Sequence, residues 1–152
     1  MYSARMRSSW LLVVMLVACQ KDWTGRELKP IEVNLAGQKV HISVPDGVKR
    51  SGDANGLVAM LDPTPNDGPS VILSKGMEPI SATADDYIKA STDKELEKRE
   101  LSGGHGGVFD RDGPHVHVTR KVGAVYIDCD AAFPGGTKDK AARVEMIWKM
   151  CK

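Results

Sequence analysis

The sequence predicts an α+β domain, in which a mostly antiparallel sheet of about six strands carries two main helices, in the order ββββ-α-ββ-α. Two observations lead to this fold class. Short segments of alternating apolar and polar residues, separated by turn residues, are typical of antiparallel strands, and two longer segments have helical spacing of their apolar residues. The 152 residues suit one domain, and fractions of 41% hydrophobic and 27% charged residues are typical of a globular protein.

The first four predicted strands lie in the N-terminal half of the chain. They are residues 31–35, 40–44, 57–61 and 71–73. The first two alternate strictly, and Ala36 and Gly37 between them suit a tight turn, so we expect a hairpin. The stretches 45–47 and 63–69 are rich in turn residues and separate the strands that follow.

The first predicted helix begins at Thr83, where a hydroxyl cap is followed three residues later by Asp86. The charged residues 94–99 form its solvated face, and the glycines at 103–104 end it. The glycine-rich and acidic stretch 105–114 is expected to be a loop that leads to the last strands.

The last two predicted strands are residues 116–122 and 124–131, which flank Gly123. A second helix follows Thr137, which suits the N-cap position. One face of this helix holds Val144, Ile147, Trp148 and Cys151. We therefore expect the chain to close with a helix that packs on the sheet.

The order of elements, the segment Ala84-Asp85-Asp86-Tyr87 at the helix entry and the closing cysteine-bearing helix resemble small domains of the Mog1/PsbP type. The resemblance covers residues 31–152. It implies an α+β fold with a scaffolding or binding role rather than catalysis, and it assigns no functional residues.

The N-terminus predicts a signal peptide. Arg5 and Arg7 precede an unbroken apolar run at residues 10–17, which is too short to cross a bilayer as a helix, since that needs about 20 residues. The alternative is a buried N-terminal helix of the domain. It is disfavoured because no polar residue interrupts the run and basic residues come before it.

The apolar run ends in Leu16-Val17-Ala18-Cys19, which resembles the lipobox of bacterial lipoproteins at all four positions. The resemblance implies that the thiol of Cys19 receives a diacylglycerol, that the chain is cut before it, and that the new amine is often acylated, for example with palmitate. Two or three acyl chains give durable attachment, whereas one anchors only marginally. The chain then divides into a signal peptide at 1–18, a lipidated tether at 19–30 and a single domain at 31–152.

The same resemblance predicts a location. In lipoproteins of this kind, Asp after the lipid-bearing cysteine often retains the protein at the inner membrane, and here that residue is Gln20. We therefore expect the bacterial cell envelope, with the outer membrane facing the periplasm favoured if the cell has one. The membrane, reached through lipid on Cys19, is the first expected partner, and another envelope protein is the second. Trp23 in the tether is expected at the membrane interface.

The charge balance excludes one class of partner. Lys and Arg number 21 and Asp and Glu 20, and removal of residues 1–18 takes away Arg5 and Arg7, which leaves 19 bases against 20 acids. This balance lacks the basic footprint of a nucleic-acid-binding protein. The sequence also lacks a phosphate-loop motif, and no cofactor is expected.

Three cysteines leave two after lipidation of Cys19, and an oxidising envelope favours a bridge between Cys129 and Cys151. Cys129 lies in a predicted strand and Cys151 ends a predicted helix, so the bridge would pin that helix to the sheet. The alternative is two buried free thiols.

A candidate metal site lies on the last strand pair. If residues 122–123 make the turn, His117 faces Asp128. His115 then faces Asp130 on the same side, because strand side chains alternate. Imidazoles and carboxylates on one face are candidate metal ligands. The alternative is a polar face with ordinary charge pairing, since the sequence does not assure a third convergent ligand.

The sequence lacks the Gly-x-Ser-x-Gly elbow of serine hydrolases. Our first hypothesis is therefore a non-enzymatic envelope lipoprotein whose domain binds or scaffolds another protein, and it predicts an exposed apolar patch or groove. The alternative is a metal-binding lipoprotein that uses the His/Asp face of the last strand pair. An enzyme is a third hypothesis, which a deep pocket with converging titratable groups would favour.

Overall fold

The computed structural model describes residues 22–77, 95–110, 112–135 and 138–152. Within these ranges the chain forms nine strands and one α-helix. The strands are β1 Leu28–Leu35, β2 Gln38–Pro45, β3 Val48–Ala54, β4 Val58–Pro63, β5 Ser70–Gly76, β6 Glu95–Leu101, β7 Gly104–Asp110, β8 Pro114–Val122 and β9 Val125–Ala132. A short 3-10 helix, Trp23–Gly25, precedes them, and α1, Lys140–Cys151, comes last.

Seven strands form one antiparallel sheet in the order β3-β4-β5-β9-β8-β7-β6, and β1 pairs with β2 in a separate hairpin. The helix α1 packs on β8 and β9 and contacts β2, while β1 contacts β4 and β5. Helix and hairpin therefore cover one face of the sheet, which we call the core face; the opposite face is the outer face. Side chains of the core face that are exposed by 1% or less include Leu61, Leu73, Val118 and Cys129.

This architecture corrects the predicted fold class. Strands hold 60% of the described residues, and a single α-helix lies at the C-terminal end of this part of the chain. The prediction of about six strands and two main helices is wrong because the segment assigned to the end of the first helix is strand β6. The predicted helix start at Thr83 and the segment Ala84-Asp85-Asp86-Tyr87 lie in residues 78–94, outside the described residues.

The position of β6 at a sheet edge explains why its composition indicated a helix. Its charged residues at 97–100 are good helix formers, but charges also suit a solvated edge, where they discourage pairing with another strand. A register shift between Glu95 and Glu97 interrupts its pairing with β7. The opposite edge is β3, which the sequence analysis left unassigned, and its pairing is interrupted between Arg50 and Gly52.

Strand β7 occupies part of the glycine-rich stretch that was predicted to be a loop. Gly106 lies on the core face, opposite Val118. A Cβ atom at Gly106 would lie 3.0 Å from the ring of Trp148 and 2.5 Å from the carbonyl oxygen of His117. This glycine therefore permits close approach of α1 to the sheet, a role that glycine also has in strands.

Two predicted elements are confirmed. The N-terminal hairpin turns at Ala36 and Gly37, whose φ angles of 50° and 75° are typical of a two-residue hairpin turn. The C-terminal helix is present as α1. Asp139 precedes it with a φ of 51° and no side-chain capping bond, while the predicted cap, Thr137, lies outside the described residues.

A disulfide bond joins Cys151 of α1 to Cys129 of β9, the pair that the sequence analysis singled out. Both residues are buried, with 0% and 1% exposure. Arg99 of β6 adds a polar link, since its Nη2 donates to Oε1 of Glu145 at 2.7 Å. Its guanidinium also lies 5.1 Å from the ring centroid of Trp148. Covalent and polar contacts together hold α1 over the core face.

Trp23 was predicted to lie in a tether, but only 4% of its surface is exposed. Its Nε1 donates to Oδ1 of Asp67 at 2.9 Å, and the guanidinium of Arg26 lies 3.6 Å from a centroid of its ring system. The backbone of Gly68 lies directly against the ring. We call Trp23, Arg26, Asp67 and Gly68 the Trp23 clasp. Because the clasp buries a large apolar ring, the folded domain includes residues that the sequence analysis placed in the tether.

Candidate functional site

The histidines and aspartates predicted from the sequence lie together on the outer face of β8 and β9, but their pairing differs from the prediction. His117 lies opposite Asp130 rather than Asp128. His115 lies opposite Ala132, next to Asp130 along the strand pair. The pairing is therefore shifted by two residues. A shift of two keeps the same residues on the same face, because strand side chains alternate with a period of two.

The position of the turn is the cause of this shift. Val122 pairs with Val125, so the turn consists of Gly123 and Ala124 rather than residues 122–123. The φ angle of Gly123 is 61°, and glycine adopts a positive φ at a turn position without steric cost. The backbone requirement of one glycine thus sets which histidine meets which aspartate.

Asp130 joins the two histidines. Its Oδ1 lies 2.7 Å from Nδ1 of His117 and 3.3 Å from Nε2 of His115. On the other side of the ring, Nε2 of His117 lies 3.2 Å from Oγ1 of Thr119. That hydroxyl in turn donates to Oδ1 of Asp128 at 2.7 Å. These five residues form a continuous chain of polar contacts, which we call the His–Asp network.

Hydrogen-bond counting fixes the roles within the network. The hydroxyl of Thr119 has one hydrogen and donates it to Asp128, so its oxygen can only accept from Nε2 of His117. Nδ1 of His117 faces the carboxylate of Asp130, which is also an acceptor. The imidazole of His117 therefore lies between two acceptor oxygens.

The histidines hold Asp130 in its charged form. Burial alone would raise the pKa of Asp130, but hydrogen bonds from His115 and His117 outweigh that effect and keep the pKa well below its ordinary value. On the neighbouring strand β7, His105 lies opposite Thr119 and is 3% exposed. Burial lowers the pKa of His105, which favours its neutral form.

One oxygen of each carboxylate in the network already contacts another side chain. Oδ1 of Asp130 lies against both imidazoles, and Oδ1 of Asp128 accepts from a hydroxyl. On the neighbouring strand β7, Asp110 pairs with Nζ of Lys140 at 2.6 Å. In the part of the chain that the structure describes, no group of three or more histidine, cysteine, aspartate or glutamate side chains is arranged to hold a metal ion. The arrangement is that of a polar face with internal pairing, and it gives the metal-binding alternative no support.

An open cleft of about 540 Å³ lies elsewhere, between the loop at 63–69 and residues 132–135. Its polar side chains are Asp62, Asn66, Ser70 and Asp112. No histidine, lysine or cysteine among the described residues lines it, and it contains no member of the His–Asp network. Its titratable side chains among the described residues are the carboxyl groups of Asp62 and Asp112, and the enzyme hypothesis stays a prediction.

Two exposed apolar side chains lie beside the network on the outer face. Met60 of β4 and Ile72 of β5 lie opposite each other, and Ile72 lies opposite Asp130. Met60 is 42% exposed and Ile72 is 44% exposed. On the other side of Met60, Gly52 of the edge strand has no side chain to cover it. We call Met60 and Ile72 the Met60–Ile72 patch.

Strands were predicted at residues 57–61 and 71–73, but the prediction did not say which of their side chains face the core and which face outward. Alternation provides the missing information: Leu61 and Leu73 are buried, so their immediate neighbours in the strands must point to the opposite face. Two further apolar side chains with large exposure, 46% and 84%, lie where β4 begins and β5 ends: Leu57 and Met77.

Comparisons with protein-family models, curated proteins and solved structures give no match to this chain. The resemblances to the lipobox and to Mog1/PsbP-type domains therefore stay predictions. Cys19 and the predicted signal peptide lie outside the described residues. In the ranges that the structure describes, no helix is long and apolar enough to cross a membrane.

Proposed function

We propose that this protein is a membrane-anchored envelope lipoprotein whose domain binds or scaffolds another protein and catalyses no reaction. The observation that supports a binding role is the Met60–Ile72 patch. Its two apolar side chains are paired on neighbouring strands and exposed by more than two fifths. Contact surfaces are built around contiguous exposed apolar side chains, of which this pair would be a part. The lipobox at Leu16-Val17-Ala18-Cys19 supports the anchor.

Burial of the patch would stabilise a complex. Complete burial of an apolar side chain of this size contributes about 1.5–3 kcal/mol. Met60 and Ile72 expose 42% and 44% of their surfaces, so covering both contributes about 2 kcal/mol. A stable interface buries about 800 Å² on each partner, which is more than two side chains supply. The patch is therefore the apolar centre of the proposed contact, and the polar outer face around it is the rim.

The His–Asp network gives this contact its specificity. Asp130 lies directly opposite Ile72 and is held in its charged form by two histidines. A fixed carboxylate at the border of an apolar patch favours a partner that offers a cation or a hydrogen-bond donor there. The chemistry of the partner surface is thus an apolar side chain next to a basic group.

The anchor is tested by mass spectrometry of the protein purified from membranes. We expect a mature chain that starts at Cys19 and carries diacylglycerol, with the new amine acylated. The Cys19→Ser variant is expected in the soluble fraction, because it has no thiol to lipidate. A chain that keeps residues 1–18, or an unmodified Cys19, would refute the anchor.

The binding surface is tested by site-specific photocrosslinking in cells. A photoreactive amino acid at position 72 is expected to yield one discrete adduct with an envelope protein, because the patch lies in the contact. The same amino acid at Lys39, an exposed position on β2, serves as the control.

Substitution then tests the apolar contribution. Met60→Glu is expected to abolish an adduct formed from position 72, because it places a charge in the apolar centre. Met77→Glu, the same change at a more exposed methionine, is expected to leave it intact. Equal adduct yields from positions 72 and 39, or insensitivity to Met60→Glu, would count against the patch.

A further inference from the structure

A second cleft lies between the 3-10 helix at Trp23–Gly25 and the helix α1. It has a volume of about 260 Å³. Its apolar lining consists of Leu28, Ala142 and Met146. Arg26 and Lys149 supply its cationic groups, while the hydroxyl of Thr24 donates to Oδ2 of Asp22 at 3.3 Å. The cleft thus combines an apolar wall with hydrogen-bond donors.

The charge of this cleft is positive. Glu145 also lines it, but its carboxylate accepts from Nη2 of Arg99 at 2.7 Å. Lys149 is exposed and forms no ion pair with the part of the chain that the structure describes. The guanidinium of Arg26 is held in place by the ring of Trp23 and by a hydrogen bond of 2.8 Å to the carbonyl oxygen of Asp46. A held guanidinium beside a lysine is suited to a phosphate group.

The Trp23 clasp fixes this cleft close to the predicted anchor. Thr24 is five residues from Cys19, so their Cα atoms are at most about 18 Å apart in any conformation of the chain between them. Trp23 is buried, so the chain cannot lengthen this connection by peeling away from the domain. A lipid on Cys19 therefore keeps the cleft at the level of the headgroups or just above it.

We propose that this cleft binds the phosphate of an anionic phospholipid next to the anchor. Arg26 and Lys149 would contact the phosphodiester, and the wall at Met146 would face the glycerol and the start of the acyl chains. The lipid orients the domain, so that the Met60–Ile72 patch is presented at a defined angle to the membrane. This inference rests on the lipid anchor of the proposed function.

The test uses the mature lipidated protein in vesicles of phosphatidylcholine, with and without phosphatidylglycerol. Hydrogen–deuterium exchange of residues 22–28 and 140–151 is measured in both. We expect slower exchange in these two segments when phosphatidylglycerol is present. Lys149→Gln is expected to reduce the effect by about fivefold, as for loss of one partly exposed charge pair. Lys138→Gln, an exposed lysine away from the cleft, is the matched control and should retain it.

Each outcome is decisive. Equal exchange in the two vesicles, or equal loss in both lysine variants, overturns the inference. Inorganic phosphate added to phosphatidylcholine vesicles distinguishes free phosphate from a lipid headgroup. If it slows hydrogen exchange as much as phosphatidylglycerol does, the assignment to lipid is overturned. Mass spectrometry of the same sample separates this inference from the proposed function. A lipidated Cys19 with no effect of phosphatidylglycerol overturns the inference alone, whereas an unmodified Cys19 overturns both.

Discussion

Replacement of Gly68 by alanine tests the Trp23 clasp. A Cβ atom at position 68 would lie 2.3 Å, 2.5 Å and 2.6 Å from Cε2, Cζ2 and Cδ2 of Trp23. Real Cβ atoms essentially never approach other heavy atoms to less than 3.0 Å, so the ring must move. The ring is wedged between this backbone and the guanidinium of Arg26, which leaves it little room to shift.

The cost follows from what the ring would lose. A small shift that is absorbed by the neighbours costs about 1–3 kcal/mol, as overpacking does elsewhere. Expulsion of the ring would lose both its burial and its hydrogen bond to Asp67. That loss would be comparable to replacing a buried tryptophan by alanine, which costs about 3–5 kcal/mol. We expect about 3 kcal/mol less free energy of unfolding for Gly68→Ala, the value at which these two ranges meet.

The assay is urea unfolding followed by far-ultraviolet circular dichroism, arranged as a double-mutant cycle with Trp23→Ala. In the Trp23→Ala background, Gly68→Ala should cost less than about 0.5 kcal/mol, because the clashing ring is gone. Gly52→Ala is the control, since its nearest neighbour would be Sδ of Met60 at 3.5 Å, an ordinary contact. Equal costs of Gly68→Ala in the two backgrounds would refute this account of the clasp.

Two further predictions concern the disulfide and the network. Joint replacement of Cys129 and Cys151 by alanine frees a 22-residue loop and should lower the free energy of unfolding by about 3 kcal/mol. Reduction of the disulfide in the unaltered protein should have the same cost. A loss of less than about 1 kcal/mol in urea titrations would contradict this prediction. Asp130→Asn should cost about 1–2 kcal/mol at neutral pH. Because the folded pKa of Asp130 is depressed, its contribution is complete above the unfolded value of about 4 and is lost as the pH falls below it towards the folded value. A cost that persists unchanged at pH 2, or that equals the cost of Asp46→Asn at an exposed carboxylate, would contradict it.

Local patterns predicted those strands that have one buried and one polar face. The hairpin of β1 and β2, and strand β9, show this alternation clearly, because one of their faces packs in the core. The amphipathic pattern of α1 was equally informative. These elements have a hydrophobic period that the chain itself displays.

Among the strands that local patterns did not predict are β6, which lies at the sheet edge, and β7, which lies beneath a large side chain. At β6 the edge position requires charged residues, and these same residues have high helix propensity. At β7 a glycine is needed because Trp148, more than 40 residues further along the chain, packs against the strand. In both cases the residue type is set by tertiary contacts, which local composition does not contain.

The candidate site shows the same division. Alternation placed His115 and His117 on one face correctly, whereas their partners depended on the φ angle of one turn residue. The clasp could not be inferred because Trp23 and Asp67 are 44 residues apart in the chain. Their contact exists only once the strands between them have paired.

The interrupted edges of the sheet affect whether copies of the domain held on one membrane would aggregate. Lipid attachment would confine every copy to two dimensions, where collisions between identical domains are frequent. A sheet with straight, unpaired edges would then grow from copy to copy into fibrils. The register shifts at Arg50/Gly52 and Glu95/Glu97, together with charged residues, make both edge strands of the seven-stranded sheet poor templates for this growth. Copies anchored as proposed would therefore resist edge-to-edge pairing and leave the outer face of the sheet open to the proposed partner.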